Sequence, residues 1–466
     1  MERFRQRKVL IVGIGRTGFA LLSFFHQLEC EIKITDVKPI FELNKEIKRI
    51  KKFKPVPEMA FGEHRDEDFL DADIIVYGVS VNPKLPQLEL ARSRGRDVFG
   101  QLELADMLCK KPVIVVGGSF GRTTVAHMIG HTLKIDGKNV FVGGSSDNPF
   151  INLFVNGQDR SVDYVVLEVS AEELQQYGGL KPVLAVLTNI DDRYSEDRFK
   201  NFADYLDTTL SVSRSLGLDN FFVVNFDKLY APKGNLSGAA LFSDVKGQIY
   251  WYSRKSFIGQ GVSDLVRGSH FHDRRIHSNI NYHSEFKVSK MRIIGENNRE
   301  NLLASITACK ALNISDDAIQ TCIEKFPGIP HRIEFVMEKN GVCFYNDSKS
   351  ESMDEMLISL EAFRGEVILI AGGKDTEQIY DPFFDVLKRK VRVLVLVGES
   401  KEKINRCIGD ATQTFLVGSF EESVLLAYQK SRTGDVILLS PGNKSTDIFR
   451  DFEERGNYFK KLVYQL

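Results

Sequence analysis

The clearest candidate chemistry belongs to a glycine-rich segment that follows a β-branched run, VIVVGGSFGRTTVAHMIG (113–130). The order of apolar run, glycine turn and helical pattern is typical of a phosphate-binding loop. Backbone N–H groups from Gly118 to Thr123 would form a nest for phosphate oxygens, and the Thr123 hydroxyl would reach Mg²⁺. The alternative is a plain glycine turn between a strand and a helix.

The cation of this loop is unusual, because Arg122 stands where a phosphate loop has lysine. Arginine stays charged and can bind phosphate through two parallel hydrogen bonds, but its side chain is longer and planar. The segment therefore predicts either a working nucleotide site with a substituted cation or the remnant of such a site.

An acidic residue closes a later apolar run, in the segment LEVSAEEL (167–174). The pattern places Glu168 at the end of a buried strand, where its carboxylate would face the phosphate loop and bind magnesium. A single carboxylate is weak support, whereas a phosphate loop followed by a strand-end acid is a stronger combination.

A second glycine-rich turn lies near the N-terminus, in VGIGRTG (12–18). Gly13, Gly15 and Gly18 have the spacing that lets a phosphate approach a helix N-terminus, and Asp36 closes the next apolar run. Asp36 could hold a ribose hydroxyl or a base edge. It could equally cap the element that follows it.

Four histidines fall in one polar stretch of the chain: His270, His272, His277 and His283. Their spacing along the sequence matches none of the tight ligand pairs of a zinc site. The stretch therefore predicts a surface excursion rather than a metal centre.

The whole-chain composition indicates a protein that binds neither nucleic acid nor a membrane surface. The 62 basic and 63 acidic residues cancel, so no strong field of one sign extends from the molecule. Six scattered cysteines fit reduced thiols better than a disulfide framework. The N-terminus enters an apolar run without a signal-peptide pattern, and no run is long enough to span a bilayer. A cytoplasmic protein is expected.

Short β-branched runs alternate with helical patterns through most of the 466 residues. Runs that are apolar on both faces favour central parallel strands covered by helices, which is an α/β fold. The runs form three groups, and we predict domains at residues 1–108, 109–327 and 328–466.

Motifs beyond the phosphate loop make a family resemblance specific: GENNRENLLAS (295–305), GIPHRIE (328–334), YNDSKS (345–350), AGGKDT (371–376) and LLSPGNKSTDIFRDFEERGNYF (438–459). On these motifs and their order, the chain resembles the Mur ligase family over essentially its whole length. Within that family it is most similar to the branch that adds D-glutamate to UDP-N-acetylmuramoyl-L-alanine.

The resemblance implies a Rossmann-like UDP-binding domain, a central P-loop ATPase-type domain and a Rossmann-like C-terminal domain that binds the amino acid. It implies an ATP- and Mg²⁺-dependent ligase of peptidoglycan precursor synthesis that forms an amide through an acyl phosphate. It also implies a monomer.

The resemblance assigns four sets of residues by position in this sequence. The residues implied to bind ATP are Gly118, Ser119, Phe120, Gly121, Arg122, Thr123, Thr124, Asn298 and Asn301. The implied catalytic residues are Arg122, Glu168, Arg332, Asp347 and Lys349. The implied substrate contacts are Thr17 and Asp36 at the uridine end, with Ser445 and Phe452 beside the amino acid. The implied metal ligands are Thr123 and Glu168.

Several positions depart from the family pattern. The stretch TNIDDRYSEDR (188–198) lacks the family's magnesium-binding histidine, and the helix after it lacks the carbamylated lysine, for which Asp207 is a candidate substitute. Glu351 replaces a threonine that helps to hold D-glutamate, with Lys374 or Lys444 as the expected compensating charge. These changes leave a second hypothesis open: a catalytically silent or specificity-altered homologue that binds nucleotide or a UDP-sugar.

Overall fold

The computed structural model describes residues 1–144, 148–190, 198–229, 241–257, 266–289, 291, 293, 295–376 and 378–466. Within these ranges the chain divides into two compact units. The first unit holds residues 1–286 and 301–320, and the second holds residues 287–300 and 321–466. The predicted α/β class with three sheets is confirmed.

The first sheet has five parallel strands in the order β3-β2-β1-β4-β5. Its strands are β1 Lys8–Val12, β2 Glu31–Asp36, β3 Glu58–Phe61, β4 Ile74–Tyr77 and β5 Asp97–Gly100. Its helices are α1 Arg16–Gln27, α2 Asn44–Ile50, α3 Asp66–Asp71, α4 Pro86–Ser93 and α5 Gln101–Leu108. The strand order reverses direction at β1, so the glycine turn after β1 lies at the switch point where doubly wound sheets bind ligands.

The second sheet has nine strands in the order β14-β13-β12-β11-β10-β9-β6-β8-β7. Its strands are β6 Val113–Gly117, β7 Val140–Gly144, β8 Tyr164–Glu168, β9 Leu184–Leu187, β10 Phe221–Asn225, β11 Gln248–Ser253, β12 Gly268–His272, β13 Arg275–Ser278 and β14 Ser284–Lys287. The helices that accompany and follow it are α6 Arg122–Ile135, α7 Ala171–Gln176, α8 Phe202–Arg214, α9 Phe226–Leu229, α10 Glu296–Ala311 and α11 Asp316–Lys325. Because β9 and β8 flank β6, residues after all three strands meet at one edge.

The third sheet has six strands in the order β15-β16-β20-β17-β18-β19, parallel except for the β15–β16 pair. Its strands are β15 Glu334–Lys339, β16 Val342–Asn346, β17 Val367–Gly372, β18 Val391–Val397, β19 Gln413–Leu416 and β20 Val436–Gly442. Its helices are α12 Met353–Glu361, α13 Phe384–Lys390, α14 Lys401–Ile408, α15 Phe420–Gln429 and α16 Phe452–Gln465. Apolar cores fill both faces of this sheet.

The described ranges also contain five 3₁₀ segments, namely Glu2–Phe4, Ile40–Glu42, Phe150–Arg160, Asp381–Phe383 and Gly409–Ala411. The segment Phe150–Arg160 buries Phe150, Ile151 and Phe154 in the same core as α1, which joins the first two sheets into one unit. Among the helices of the described ranges, none has the length and apolarity needed to cross a membrane.

Candidate active site

The turn between β6 and α6 requires glycine at two positions. Gly118 and Gly121 have φ values of +118° and +83°, which side-chain-bearing residues rarely adopt. A Cβ at Gly118 would lie 2.3 Å from Thr188 Oγ1, and one at Gly121 would lie 2.2 Å from Asn301 Oδ1. The polar side chains of Thr188 and Asn301 therefore pack closely against the loop, which leaves room only for glycine at these two positions.

Residues that follow β9 hold this loop in shape. The N–H groups of Ser119 and Phe120 donate to the Asn189 carbonyl (3.1 Å) and to Asn189 Oδ1 (2.9 Å). Thr188 Oγ1 donates to the Phe120 carbonyl at 2.6 Å. Two of the N–H groups assigned to the phosphate nest are thus used internally. The helix start at Arg122 still leaves its first N–H groups without intrahelical acceptors, and these can receive an anion.

The Arg122 side chain folds back onto the loop, and the Ser119 side chain points to α8. The half-buried Arg122 guanidinium donates through Nη1 to the carbonyl oxygens of Gly118 and Ser119, the latter at 3.3 Å. Its Nε is buried and has no hydrogen-bond partner in the described ranges. The Ser119 hydroxyl lies 2.7 Å from the Tyr205 hydroxyl. The cation predicted to contact phosphate is therefore held at the loop itself.

The predicted metal ligands lie side by side. Glu168 ends β8 and is buried, and its Oε2 accepts a hydrogen bond from Thr123 Oγ1 at 2.6 Å. A hydroxyl and a carboxylate are oxygen ligands of the kind that Mg²⁺ prefers, so these residues fit the expected ion. The strand order explains the contact, because β8 is the direct neighbour of β6.

A second buried carboxyl follows Glu168 at the start of α7. Glu173 forms a capping box with Ser170: the Ser170 N–H donates to Glu173 Oε2 at 3.0 Å, and the Glu173 N–H donates to Ser170 Oγ at 3.3 Å. Burial raises the pKa of Glu173 to about 7, and the charge of Glu168 adds to the rise. The sequence prediction did not assign Glu173 a role.

The remaining residues implied to bind ATP lie in the loop itself, in α6 and in α10. Asn301 is buried in α10 and faces Gly121, whereas Asn298 is half-buried one turn earlier in the same helix. Thr124 is half-buried in the first turn of α6, and Phe120 exposes 44% of its surface.

The residues implied to contact uridine lie at the switch point of the first sheet. Asp36 accepts backbone N–H groups with both carboxylate oxygens, from Ile14 at 3.0 Å and from Lys38 at 2.9 Å. It thereby braces the glycine turn after β1. Thr17 is half-buried in the first turn of α1, against Gly78 after β4.

In the second compact unit, Asp347 lies at the centre of a hydrogen-bond network just after β16. It accepts hydroxyl groups from Ser359 (2.5 Å) and Ser440 (2.8 Å) and the N–H of Ile333 (3.1 Å). Burial raises its pKa to about 6. Lys349 lies nearby, with its ammonium 4.0 Å from the centre of the Phe452 ring. Arg332 is exposed.

Glu351 lies beside Ser445. Its Oε1 accepts from the Ser445 N–H at 3.3 Å and from Ser445 Oγ at 3.4 Å, and it lies 3.8 Å from Arg455 Nη2. Lys374 or Lys444 was expected to compensate this charge, but the cation that pairs with Glu351 in the described residues is Arg455.

Arg455 is a buried cation that sequence reasoning missed. Its guanidinium donates to Ser348 Oγ (3.0 Å), the Ser348 carbonyl (2.8 Å) and the Asn443 carbonyl (3.0 Å). Burial lowers its pKa to about 10. The sequence did offer one signal, because Arg455 lies in the segment 438–459 that supports the family resemblance. The resemblance was not used to assign Arg455 a role.

The structure explains part of the departure from the family pattern near the proposed metal ligands. Asp207 is exposed on α8 and pairs with Arg214 at 2.6 Å, so it does not replace the absent carbamylated lysine in this structure. Tyr205 is the residue of α8 that reaches the loop. Residues 191–197, where the family's histidine is expected, lie outside the described residues.

Models of three Mur ligase domains match the chain. The Mur ligase MurD-like N-terminal domain matches residues 7–100, the Mur ligase middle domain matches 116–309, and the Mur ligase glutamate ligase domain matches 331–443. Together these models cover most of the 466 residues.

Curated relatives match over nearly their whole length. A UDP-N-acetylmuramoylalanine–D-glutamate ligase from Bdellovibrio bacteriovorus is 34% identical over 460 residues, covering 98% of this chain and 97% of that protein. A ligase of the same name from Citrifermentans bemidjiense is 32% identical and covers 98% of each chain.

Solved structures share the fold at lower identity. UDP-N-acetylmuramate–alanine ligase from Thermotoga maritima superposes with a TM-score of 0.59 at 18% identity, covering 98% of this chain and 99% of that one. A pseudomurein peptide ligase from Methanothermus fervidus gives a TM-score of 0.53 at 16% identity, with the same coverage. From the domain models and the full-length identities, the chain belongs to the Mur ligase family.

Proposed function

We propose that this protein is a cytoplasmic, monomeric, ATP-dependent ligase that joins D-glutamate to UDP-N-acetylmuramoyl-L-alanine in peptidoglycan precursor synthesis. The observation that carries the proposal is the 2.6 Å contact between Thr123 Oγ1 and Glu168 Oε2 beside the phosphate loop. Supporting it, relatives that bear the D-glutamate ligase name are 30–34% identical over nearly the whole chain. We further propose domains at residues 1–108, 109–327 and 328–466.

The reaction has two chemical steps. The terminal phosphoryl group of ATP is transferred to the alanine carboxylate, which forms an acyl phosphate and releases ADP. The amine of D-glutamate then attacks the acyl carbon, the bond to the phosphate oxygen breaks, and an amide, inorganic phosphate and a proton result. Negative charge shifts between oxygens in both steps, so preorganised cations and N–H donors stabilise the transition states.

In this scheme Arg122 and the free N–H groups at the start of α6 bind the ATP phosphates. Thr123 and Glu168 would hold Mg²⁺, which supplies divalent charge that neutralises phosphate oxygens. Asn298 and Asn301 contact adenine.

The other implied residues serve the substrates and the second step. Thr17 and Asp36 contact the uridine end, and Ser445 and Phe452 border the amino acid. The remaining catalytic set is Arg332, Asp347 and Lys349.

A second candidate function is a ligase with altered amino-acid specificity, and the position of Glu351 favours it. The Glu351 carboxylate hydrogen-bonds Ser445, one of the two residues proposed to border the amino acid. A carboxylate there repels the side chain of D-glutamate and attracts a neutral or cationic one. The buried Arg455 offsets part of this charge.

The test is a phosphate-release assay on the purified protein with UDP-N-acetylmuramoyl-L-alanine, ATP, Mg²⁺ and a panel of D- and L-amino acids. We expect release that requires the UDP-substrate and is fastest with D-glutamate, together with the D-glutamate adduct by mass spectrometry. The Glu168→Gln variant should lose most turnover. Another preferred amino acid supports the altered specificity. No turnover with any amino acid, despite binding of the UDP-substrate, supports a silent homologue.

A further inference from the structure

One face of the strands β12, β13 and β14 carries an unusual concentration of imidazoles. His270 and His277 are directly paired across the antiparallel β12–β13 ladder, and His272 lies two residues beyond His270 on the same face. Glu285, on β14, contacts His277 and so shares this face. Successive side chains of a strand point to opposite faces of the sheet. Ile276, next to His277, and Phe286, next to Glu285, are buried, so His277 and Glu285 lie on the opposite face from this core.

The rings converge on His277. The centroids of His270, His272 and His283 lie 5.8 Å, 5.7 Å and 5.8 Å from the His277 centroid. One ligand atom each from His277, His283 and Glu285 falls within 4.8 Å of the other two. Separations along the sequence gave no sign of this cluster, because hairpin pairing and the loop before β14 bring the residues together.

Some polar atoms of the histidine cluster have no hydrogen-bond partner in the part of the chain that the structure describes. His277 Nε2 and His270 Nδ1 are buried and have no hydrogen-bond partner in the described ranges. Glu285 Oε2 accepts from Arg275 at 2.9 Å, while its Oε1 lies 3.6 Å from His277 Nδ1. Buried nitrogens without partners are costly, and coordination of a cation would give such a nitrogen a partner.

We propose that His277, His283 and Glu285, joined by His270 or His272, form a binding site for a divalent transition metal ion of the Zn²⁺ class. Zn²⁺ takes imidazole nitrogen and carboxylate oxygen in four-coordinate sites, with ligand atoms about 3.4 Å apart for bonds of about 2.1 Å. In the structure the ligand atoms of His277, His283 and Glu285 lie within 4.8 Å of one another, so binding would require their side chains to rotate closer together. The ion would fasten β13 to the loop before β14 at the edge of the nine-stranded sheet.

This site differs in chemistry from the Thr123–Glu168 pair. That pair offers only oxygen, which suits Mg²⁺, whereas imidazole nitrogen selects Zn²⁺, Ni²⁺ or Cu²⁺. Excess Mg²⁺ therefore competes at the oxygen site and leaves the imidazole site available.

The experiment uses full-length protein from which any polyhistidine tag has been removed. Equilibrium dialysis against Zn²⁺ in excess Mg²⁺ should give one bound Zn²⁺ per chain. His277→Gln and Glu285→Gln should each weaken binding at least about tenfold. The matched control is His26→Gln, which changes a histidine of α1 outside the cluster and should leave binding unchanged. Thermal unfolding of each metal-free variant checks that its fold is retained.

Three results would overturn the site: no zinc bound by the wild-type protein, unchanged binding in the His277→Gln/His283→Gln double variant, or loss of binding only in Glu168→Gln. Cobalt supplies an independent signature, because tetrahedral Co²⁺ at the site gives strong visible absorption. Absorption equal to that of the double variant would also contradict the proposal.

Discussion

At the scale of single residues, Arg122 is the position whose chemistry can be tested most directly. Its guanidinium already lies at the loop, where it donates to the carbonyls of Gly118 and Ser119. A charged hydrogen bond contributes about 1.5–3 kcal/mol. We therefore expect Arg122→Ala to weaken binding of a non-hydrolysable ATP analogue about tenfold or more by calorimetry, while Arg122→Lys keeps the affinity within a few-fold.

Arg214→Ala is the control for this prediction, since Arg214 pairs with Asp207 on the exposed side of α8. Its affinity for the analogue should equal that of the wild type. An Arg122→Ala variant that binds the analogue as tightly as the control would show that Arg122 has no role in nucleotide binding.

Glu351 tests the amino-acid site at the same scale. The nearest described cation is the buried Arg455, 3.8 Å away, which remains when Glu351 is replaced. In a D-glutamate ligase, Glu351→Thr removes a like charge near the substrate, so KM for D-glutamate should stay equal or fall several-fold. Steady-state kinetics at saturating ATP measures this. A large rise in KM would mean that the carboxylate itself serves the amino acid, and would favour the altered specificity.

At the scale of elements, the capping box of α7 couples helix stability to pH. Burial raises the pKa of Glu173 from 4.5 to about 7, so between these values the folded chain holds a proton that the unfolded chain has lost. The free energy of unfolding therefore falls as pH rises through this window and is constant above it. Glu173→Gln keeps a capping acceptor and cannot ionise.

Relative to Glu173→Gln, the wild type should lose about 3 kcal/mol of stability between pH 4.5 and pH 7.5, measured by urea unfolding. Ser170→Ala is the companion variant. It removes the cap and should cost about 1 kcal/mol at both pH values. If the wild type and Glu173→Gln differ in unfolding free energy by the same amount at both pH values, Glu173 does not titrate in this range.

Prediction from sequence succeeded where the signal was local. The glycines of the phosphate loop and Glu168 at a strand end could be assigned because turn geometry and strand periodicity are written in neighbouring residues. Asn189 and Tyr205 could not be assigned, since their contacts depend on β9 lying beside β6 and on which face α8 presents. Asp207 was left open for the same reason, and the structure places it on the exposed face.

At the scale of the whole molecule, the proposed phosphate-binding groups and the proposed amino-acid groups belong to different compact units. The phosphate loop lies in the first unit and Ser445 in the second. We therefore expect Ser445→Ala to raise KM for D-glutamate and to leave the dissociation constant of the ATP analogue unchanged. Calorimetry and steady-state kinetics on one preparation separate the two effects. A matching loss of nucleotide affinity would show that Ser445 also serves the ATP site.

The number of sheets could be predicted from alternating strand and helix patterns, but the compact units could not. The 3₁₀ segment Phe150–Arg160 has no strong sequence signature, yet Phe150 and Phe154 join the core that surrounds α1. A sequence pattern identifies which residues are apolar. It does not identify which neighbouring element will cover them.

The hydrogen bonds from Arg122 to its own loop have a consequence for the time course of nucleotide capture. The Nη1 group that donates to Gly118 and Ser119 must release these carbonyls before it can turn to an incoming phosphate. If Arg122 has the proposed role, ATP first forms a loose complex with the loop, and the Arg122 side chain then rearranges more slowly. The observed association rate should therefore saturate as the ATP concentration increases. In Arg122→Ala the rearrangement is absent, and stopped-flow rates should rise linearly. The loop would then set the speed of nucleotide capture as well as its strength.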